Sequence, residues 1–600
     1  MKKRIVLLVA LSTGISATAQ DKTQKIEDIH LKGKFFSTPY SGINESTTVI
    51  TRQQIKSAPA VSIEELLQQF AGLDIRRRGA HGVQSDVSLR GGTFEQTLIL
   101  LNGVRLNDAQ TGHNSMNLPV SMDMVERIEV IKGPAARRFG NNAYSGVINI
   151  ITTQDRSDRA KISAQAGDYS TWQLGASASL SGESASHQMH LQRAGSEGYR
   201  YNTDYEISSA FYRTAVDLSS VKMNLQAGFS EKKFGANGFY ATPSATEQYE
   251  EVQASVVSLG MEKNIGNVQL SATGFWRRGQ DMYLYNRNRP EIYRNLHIGH
   301  NLGGEFNASF TSLYGRSGVG VELRRETLQS NNLGERSRSV AQVFVEHEMQ
   351  ILKNLTLSPG ISWAHFKDQG SFFYPGIDLG LRLSSKDRLY ANVGRVHRVP
   401  TFTDLYYTSM TETGNAALEP EKATSYELGY RRLDNGMQLR TSVFLRKTTN
   451  GIDWVKDSSQ EKWRAENIAN ITTQGVELDF RHRIGGFLEY YELSYTFLDS
   501  KLEKTALLSR YSLDQLKHQF IAKAGVDITR SVSLESVYRL QQRASEDPYS
   551  LVDLKLQYGK RNFTLFALLT NLTATQYTET FGVPMPGRWL HVGAEFSLGL

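Results

Sequence analysis

Leu590-His591-Val592-Gly593-Ala594-Glu595-Phe596-Ser597-Leu598-Gly599-Leu600 closes the chain. Leu590, Val592, Ala594, Phe596, Leu598 and Leu600 are apolar, and His591, Gly593, Glu595, Ser597 and Gly599 between them are polar or small. Successive side chains of a strand point to opposite faces, so a period of two gives this segment one oily face and one wet face. The same alternation runs through Trp172, Leu174, Ala176, Ala178 and Leu180, and through Tyr491, Leu493, Tyr495 and Phe497. It persists from about Asp155 onward. Two arrangements accommodate such strands. In a secreted sandwich or solenoid the apolar faces meet in a core. In an outer-membrane barrel they face lipid, the wide interior is wet, and aromatic residues gather at both interfaces. No repeat of fixed period supports the solenoid.

The turns favour the barrel. Short turn signals fall at Gly182, Ser219, Gly266-Asn267, Gly315, Lys353-Asn354, Lys386-Asp387, Asn435-Gly436, Gly485-Gly486, Arg530 and Lys560. They stand about 30 to 50 residues apart, room for two strands and a longer polar loop in each interval. With both chain ends on one side, ten such turns imply 22 antiparallel strands, the count of plugged outer-membrane barrels. Closure follows from lipid chemistry, because lipid offers no partner to a backbone N–H or C=O.

Composition fits that reading. The chain has 600 residues, 40% hydrophobic and 10% aromatic, with 50 Gly against 13 Pro. Mean hydropathy is −0.40. No stretch after residue 20 approaches the roughly 20 apolar residues of a spanning helix; the longest is Leu565 to Leu569. The negative mean is then an average over a lipid face and a water face. Cysteine is absent, which excludes disulfides, thiolate metal sites and cysteine nucleophiles.

Residues 1-19 have the form of a signal peptide: Lys2-Lys3-Arg4, an apolar core from Ile5 to Leu11, and Ala17-Thr18-Ala19 at the cleavage site. Removing three basic residues lowers the formal charge from +7 to +4, and no Lys/Arg cluster points to nucleic acid. Residues 46-153 have a different texture, that of a small α/β domain. Ser62 reads as a helix N-cap with Glu65 at the capping-box position. Thr97 to Leu101 reads as a buried strand ending at the turn Asn102-Gly103, and Val125 to Ile131 and Val147 to Ile151 as two more.

Four segments of this domain resemble the plug of TonB-dependent outer-membrane receptors. They are Val87 to Gly92, Leu98 to Gly103, Glu126 to Pro134, and Phe139 to Thr152. Residues 154-600 add Arg398 to Tyr407, Gly414 to Glu421, and Pro584-Met585-Pro586-Gly587-Arg588. The resemblance covers essentially the whole chain after the signal peptide. Its branch looks like the vitamin B12 receptor-like proteins, Bacteroidetes-type.

This resemblance implies an N-terminal α/β plug inside the lumen of a 22-stranded transmembrane barrel in the outer membrane of a Gram-negative bacterium. It implies active import, not catalysis. A periplasmic tether, residues 20-45, would carry a TonB box that the C-terminal domain of TonB grips by strand addition, energised from the inner membrane. Ile26, Glu27, Asp28, Ile29, His30, Leu31 and Lys32 form the first alternating patch after cleavage, though without the usual run of valines. No further domain precedes them, which argues against the glycan-importing branch. Expected partners are TonB, a metal-complex small molecule, outer-membrane lipid and a surface lipoprotein, with a monomeric barrel.

The family places an apical, ligand-facing loop where this chain has Asn107 to Ser115, so Asn107, Asp108, Gln110, His113 and Asn114 are expected ligand contacts. Asn237, Phe239, Tyr240, Tyr283 and Tyr285 lie in outer segments whose aromatic and amide groups suit a flat amphipathic ligand. The alternatives are a solvated loop and an aromatic girdle. His113 alone makes no metal site. Asp204 and Glu206 could enter a calcium-stiffened loop, but two carboxylates fall short of the 6–8 oxygens calcium takes. The expected cargo is cobalamin or a related corrinoid first and a ferric siderophore second. Haem is third, because no His lies between Arg398-Val399-Pro400 and Asn415-Ala416-Ala417-Leu418, leaving His397, His297 and His300 as stray candidates. A surface-binding barrel that transports nothing is the rival from another class. The last residue is Leu600, where such barrels usually end in Phe.

Overall fold

The computed structural model describes residues 29–154, 156–240, 243–468, 470–502, 508–511, 515–544, 546–580 and 582–600. The signal-peptide reading lies outside them. From Arg159 onward, 22 antiparallel strands form a closed barrel. The first, Arg159–Gly167, pairs with the last, Trp589–Gly599, setting Ile162 beside Phe596 and Ala164 beside Ala594. All ten short turns sit where the sequence places them. Two-residue connections such as Ile265 to Val268 and Asp434 to Met437 put Gly266 (φ +59°) and Gly436 (φ +80°) in the left-handed region that glycine enters without cost.

The alternation has its expected outcome. Ile162, Leu174, Leu302 and Leu323 on the outer wall are about 60% exposed, area that a bilayer would cover. Glu322, Arg324, Gln342 and Glu427 point inward and are buried against the plug. The wall is uneven in height. The strands Arg294–Ser312 and Gly334–Leu352 have 19 residues each, whereas Phe563–Thr570 and Arg159–Gly167 beside the closing seam have 8 and 9.

The plug is built on a five-stranded sheet in the order Thr47–Thr51, Val125–Lys132, Gly146–Thr152, Thr97–Leu101, Val104–Arg105. Asn102 (φ 51°) and Gly103 (φ 84°) make the expected tight turn. Ile50, Leu66, Leu67, Leu101, Val125, Ile128, Val130, Ile148 and Ile150 form its dry centre, none of them exposed. The helix Ile63–Leu67 is capped by Ser62, which accepts from the Glu65 N–H. The other half of the capping box differs from expectation. The Glu65 carboxylate accepts from the Val61 N–H at 3.0 Å, drawn past Ser62 by Arg77 and His81, each 3.0 Å away.

Buried charges fix the plug to the wall. Arg90 donates to Glu427 at 3.0 Å and to Glu477 at 2.9 Å, and Lys132 lies 3.1 Å from Glu477. Arg137 and Arg138 meet Asp378, and Arg398 from the wall meets plug Glu95 together with Asp404 and Glu421. Buried pairs add little net stability over apolar packing, but breaking one leaves a desolvated charge, so they specify a single docking register.

Candidate ligand cavity and tether

At the end away from the short turns, the plug floors a cavity of about 1390 Å³ that the barrel's long loops wall in. The floor comes from the hairpin Leu73–Arg77 and Ser85–Leu89 with the turn that follows it. Strand alternation explains its chemistry. In the run Arg76-Arg77-Arg78, the first and third guanidiniums line the cavity, while Arg77 turns into the protein to meet Glu579 at 2.8 Å and Glu65 at 3.0 Å. Asp74 lies between Arg76 (3.2 Å) and Arg543 (2.7 Å), and Asp86 between Arg78 (3.0 Å) and His113 (2.6 Å). Burial raises both carboxyls, but Arg543 and Arg76 outweigh it and hold Asp74 at about 2, and His113 and Arg78 do the same for Asp86. Both carboxyls are therefore ionised at neutral pH, held against the arginines of the floor.

The walls are aromatic: Tyr199, Phe239, Tyr240, Trp463, Tyr511 and Tyr577 face the cavity. Arg510 stands 5.7 Å from the Trp463 ring and 5.5 Å from that of Tyr511, and Arg78 stands 5.5 Å from Tyr240. Guanidiniums held over ring faces beside a charged floor make a surface for a large, flat, amphipathic ligand with anionic or amide edges.

The expected contact residues divide. Phe239 and Tyr240 line the cavity, and Tyr240 donates to Gln84 at 2.7 Å. Tyr283 packs edge-on against Tyr240 at 5.5 Å, one layer back, and Tyr285 is exposed on the rim. His113 lies just behind the floor, stacked on Phe94 at 4.1 Å and 3.4 Å from the Tyr511 hydroxyl. The structure gives the other loop residues different roles. Asn107 spends both ends of its amide inside the plug, on the Ile99 N–H (2.9 Å) and the Thr97 carbonyl (3.0 Å). Asp108 pairs with Arg277 of the wall at 2.9 Å, and Asn114 accepts from Asn117. The carbonyls of Ala109 and Gln110 accept from Phe402 and Thr403, docking the loop on the helix Phe402–Tyr406. Asn237 braces the outer segments through the Tyr201 carbonyl. Reading the sequence alone misses Arg76, Arg78, Arg200, Arg510, Trp463 and Tyr511. Only the arginine run carries a signal, through its alternation.

Asp204 and Glu206 are taken by Arg287 and Arg193. Among the described residues no group of three His, Asp or Glu is placed to hold a metal ion. His297 faces inward, 2.8 Å from Ser330, and His300 faces outward against Trp276, so the two share no site. His397 also faces outward, on the strand Asp387–Arg398.

At the opposite end, Ile26, Glu27 and Asp28 of the expected TonB box lie outside the described residues. The Ile29 carbonyl accepts from the Tyr40 N–H, and His30–Lys32 pairs as a short strand with Ser37–Pro39. Leu31 is buried, and Lys32 pairs with Glu262 of the wall. Lys34 stands 2.6 Å from Glu305 and 3.5 Å above the Phe344 ring. The segment is thus folded back against the barrel's short-turn rim.

Two family models match the chain: "TonB dependent receptor-like, beta-barrel" over residues 134–572 and "TonB-dependent Receptor Plug Domain" over residues 41–147. Among curated relatives, the vitamin B12 transporter BtuB of Photobacterium profundum is 24% identical over 91% of this chain and 92% of its own. BtuB of Vibrio vulnificus (strain CMCP6) is 24% identical over 79% of this chain and 78% of its own. The siderophore receptor PirA of Acinetobacter baumannii superposes with TM-score 0.77 at 16% identity, covering 92% of this chain and 98% of that one. A mutant of the ferric enterobactin receptor PfeA of Pseudomonas aeruginosa gives TM-score 0.76 at 16% identity, with 92% and 98% covered. With its barrel matched over most of its length and its plug matched as well, the chain belongs to the TonB-dependent receptor family.

Proposed function

We propose that this protein captures a large, scarce metal complex in its outer cavity and imports it across the outer membrane of a Gram-negative bacterium, driven by TonB pulling on the segment around Ile26 to Lys32. The cargo is cobalamin or a related corrinoid, or a ferric siderophore. One observation carries the reading: the cavity of about 1390 Å³ is floored by a plug that fills the barrel. A bound ligand reaches the other end only if the plug moves, and moving it breaks buried ion pairs, which takes outside work. The folded-back tether is an extended segment that a partner strand can capture once it is released. The chain performs no chemistry on its cargo. Family membership supports the outer membrane as its place, and the names of the BtuB relatives and of the siderophore receptors support the two cargo classes.

The test removes residues 26–32 and follows radiolabelled cyanocobalamin and a ferric tris-catecholate on expressing cells. Surface binding should persist and accumulation should stop. Unchanged accumulation would refute energised transport, and binding without accumulation in the intact protein would favour a non-transporting surface barrel.

A further inference from the structure

The outer cavity is the first of three in series. A second, of about 30 Å³, shares Tyr577 and Gly587 with it and lies between plug residues Glu65 and Arg77 and wall residues Leu551 and Asp553. A third, of about 150 Å³, shares His81 with the second. It runs between plug residues 60–64 and 116–123 and the inward faces of the strands that flank the closing seam. Its lining is mixed: polar Ser163, Gln165 and Gln192, charged Glu64 and Lys232, and apolar Leu118 and Phe566. At its far end Asp123 and Glu595 both pair with Lys161, at 3.2 and 2.9 Å.

Three ring nitrogens mark the junction of the second and third cavities. His81 Nε2, His591 Nε2 and Trp589 Nε1 are buried and have no hydrogen-bond partner among the described residues. His81 lies 4.5 Å from the Trp589 ring and 4.8 Å from that of His591. Buried polar atoms of this kind are normally satisfied by water, so the junction is the wall of a wet passage rather than a dry contact.

The plug is gripped all round but more heavily on the far wall: beside the seam Arg77 meets Glu579, Asp123 meets Lys161, and Glu64 lies 3.9 Å from Lys232. On the far wall its arginines meet Glu427, Glu477 and Asp378, and wall residues Gln342, Ser362, Ser442 and Thr473 are at most 3% exposed. Beside the seam, the inward residues Ser163, Gln165, Gln173 and Ser209 stay partly exposed inside the lumen, and the wall is at its lowest. The geometry points to a one-sided opening: the plug parts from the barrel along the closing seam, and the cargo passes through the wet gap widened there while the far-wall ion pairs stay closed. This route rests on the import reading above. It separates Arg77 from Glu579, Asp123 from Lys161 and Glu64 from Lys232, fewer buried pairs than Arg90, Lys132, Arg137, Arg138 and Glu95 make across the far wall.

The chain has no cysteine, so every introduced thiol is unique. In isolated outer membranes, methanethiosulfonate ethylammonium should modify Ser163→Cys and Ser209→Cys at least ten times faster than Ser362→Cys and Ser442→Cys. Equal rates would overturn the wet gap, with or without any cargo. Two tethers then test the route. A Cβ built on Gly228 lies 3.2 Å from the Pro119 Cβ, beside the gap, and one built on Gly394 lies 2.7 Å from the Pro134 Cβ, on the far wall. Both are closer than the roughly 3.5–4.5 Å between the Cβ atoms of a disulfide, so each pair forms one once the plug backs off the wall by a fraction of an ångström. Oxidised Gly228→Cys/Pro119→Cys should lose uptake of cyanocobalamin or ferric tris-catecholate and regain it on reduction, which shows that the variant is folded. Oxidised Gly394→Cys/Pro134→Cys should keep at least half. The reverse pattern, or equal loss in both, would overturn the route. An intact protein that takes up neither complex would sink the import reading instead, while thiol labelling still decides the gap.

Discussion

Arg90 offers the sharpest test of how the plug is held. Its side chain is 2% exposed and donates to Glu477 at 3.0 and 2.9 Å, to Glu427 at 3.0 Å and to Ser442 at 2.9 Å. Arg90→Ala leaves two buried carboxylates, Glu427 and Glu477, with Lys132 as the remaining cation at 3.1 Å from Glu477. Stranding one partner of a buried pair costs about 3–5 kcal/mol. The backbone should not add to this, because Arg90 already has φ 48° and alanine inherits the same strain. Hydrogen exchange of plug peptides covering Thr97 to Leu101 and Val147 to Ile151, read along a urea series in detergent, reports the opening free energy. With a slope of about 2 kcal/mol per M, the midpoint should fall by roughly 2 M. Arg193→Ala is the control. Its pair with Glu206 is exposed on both sides, so it should cost at most about 1 kcal/mol. Arg90→Lys should recover only part, since it keeps the charge but loses the fork that spans two carboxylates. An Arg90→Ala shift no larger than the Arg193→Ala shift would refute the lock.

Glu95, Asp404 and Glu421 surround the single guanidinium of Arg398, and burial followed by Asp404 pushes the Glu95 carboxyl above its usual range. A raised carboxyl stabilises the folded state fully below its unfolded pKa and loses that contribution as pH rises through the folded value. Plug stability by hydrogen exchange should therefore decline from pH 5 to 9 in the parent and stay flatter in Glu95→Gln. Trp463→Ala removes a cavity wall on which Arg510 rests, and calorimetry should show about tenfold weaker binding of the preferred cargo, or roughly 1.4 kcal/mol. Lys34→Ala cuts the tether's contacts with Glu305 and Phe344, so amides of residues 30–39 should exchange faster and the TonB C-terminal domain should bind several-fold more tightly.

What is legible in the sequence follows from how far each physical demand reaches. Lipid imposes the period of two on every strand, and a tight turn imposes glycine within two residues. The wall and its ten turns can therefore be read from local pattern alone, as at Gly266 and Gly436. The site obeys partners that are remote in sequence. Asp108 reads as a ligand contact because it is polar and apical, yet Arg277, 169 residues away, claims it. Asp204 looks free in the sequence, yet Arg287, 83 residues on, takes its carboxylate. Asn107 is the same case within one domain, its amide occupied by Thr97 and Ile99. Arg76 and Arg78 stand in plain view, and the rule that locates the barrel also places them on one face with Arg77 on the other. Polarity alone cannot separate a side chain that binds cargo from one that holds the plug. In the proposed reading both tasks fall to the same residue types, a few ångströms apart: Arg76 and Arg78 face the cavity while Arg77 between them grips Glu579 of the wall.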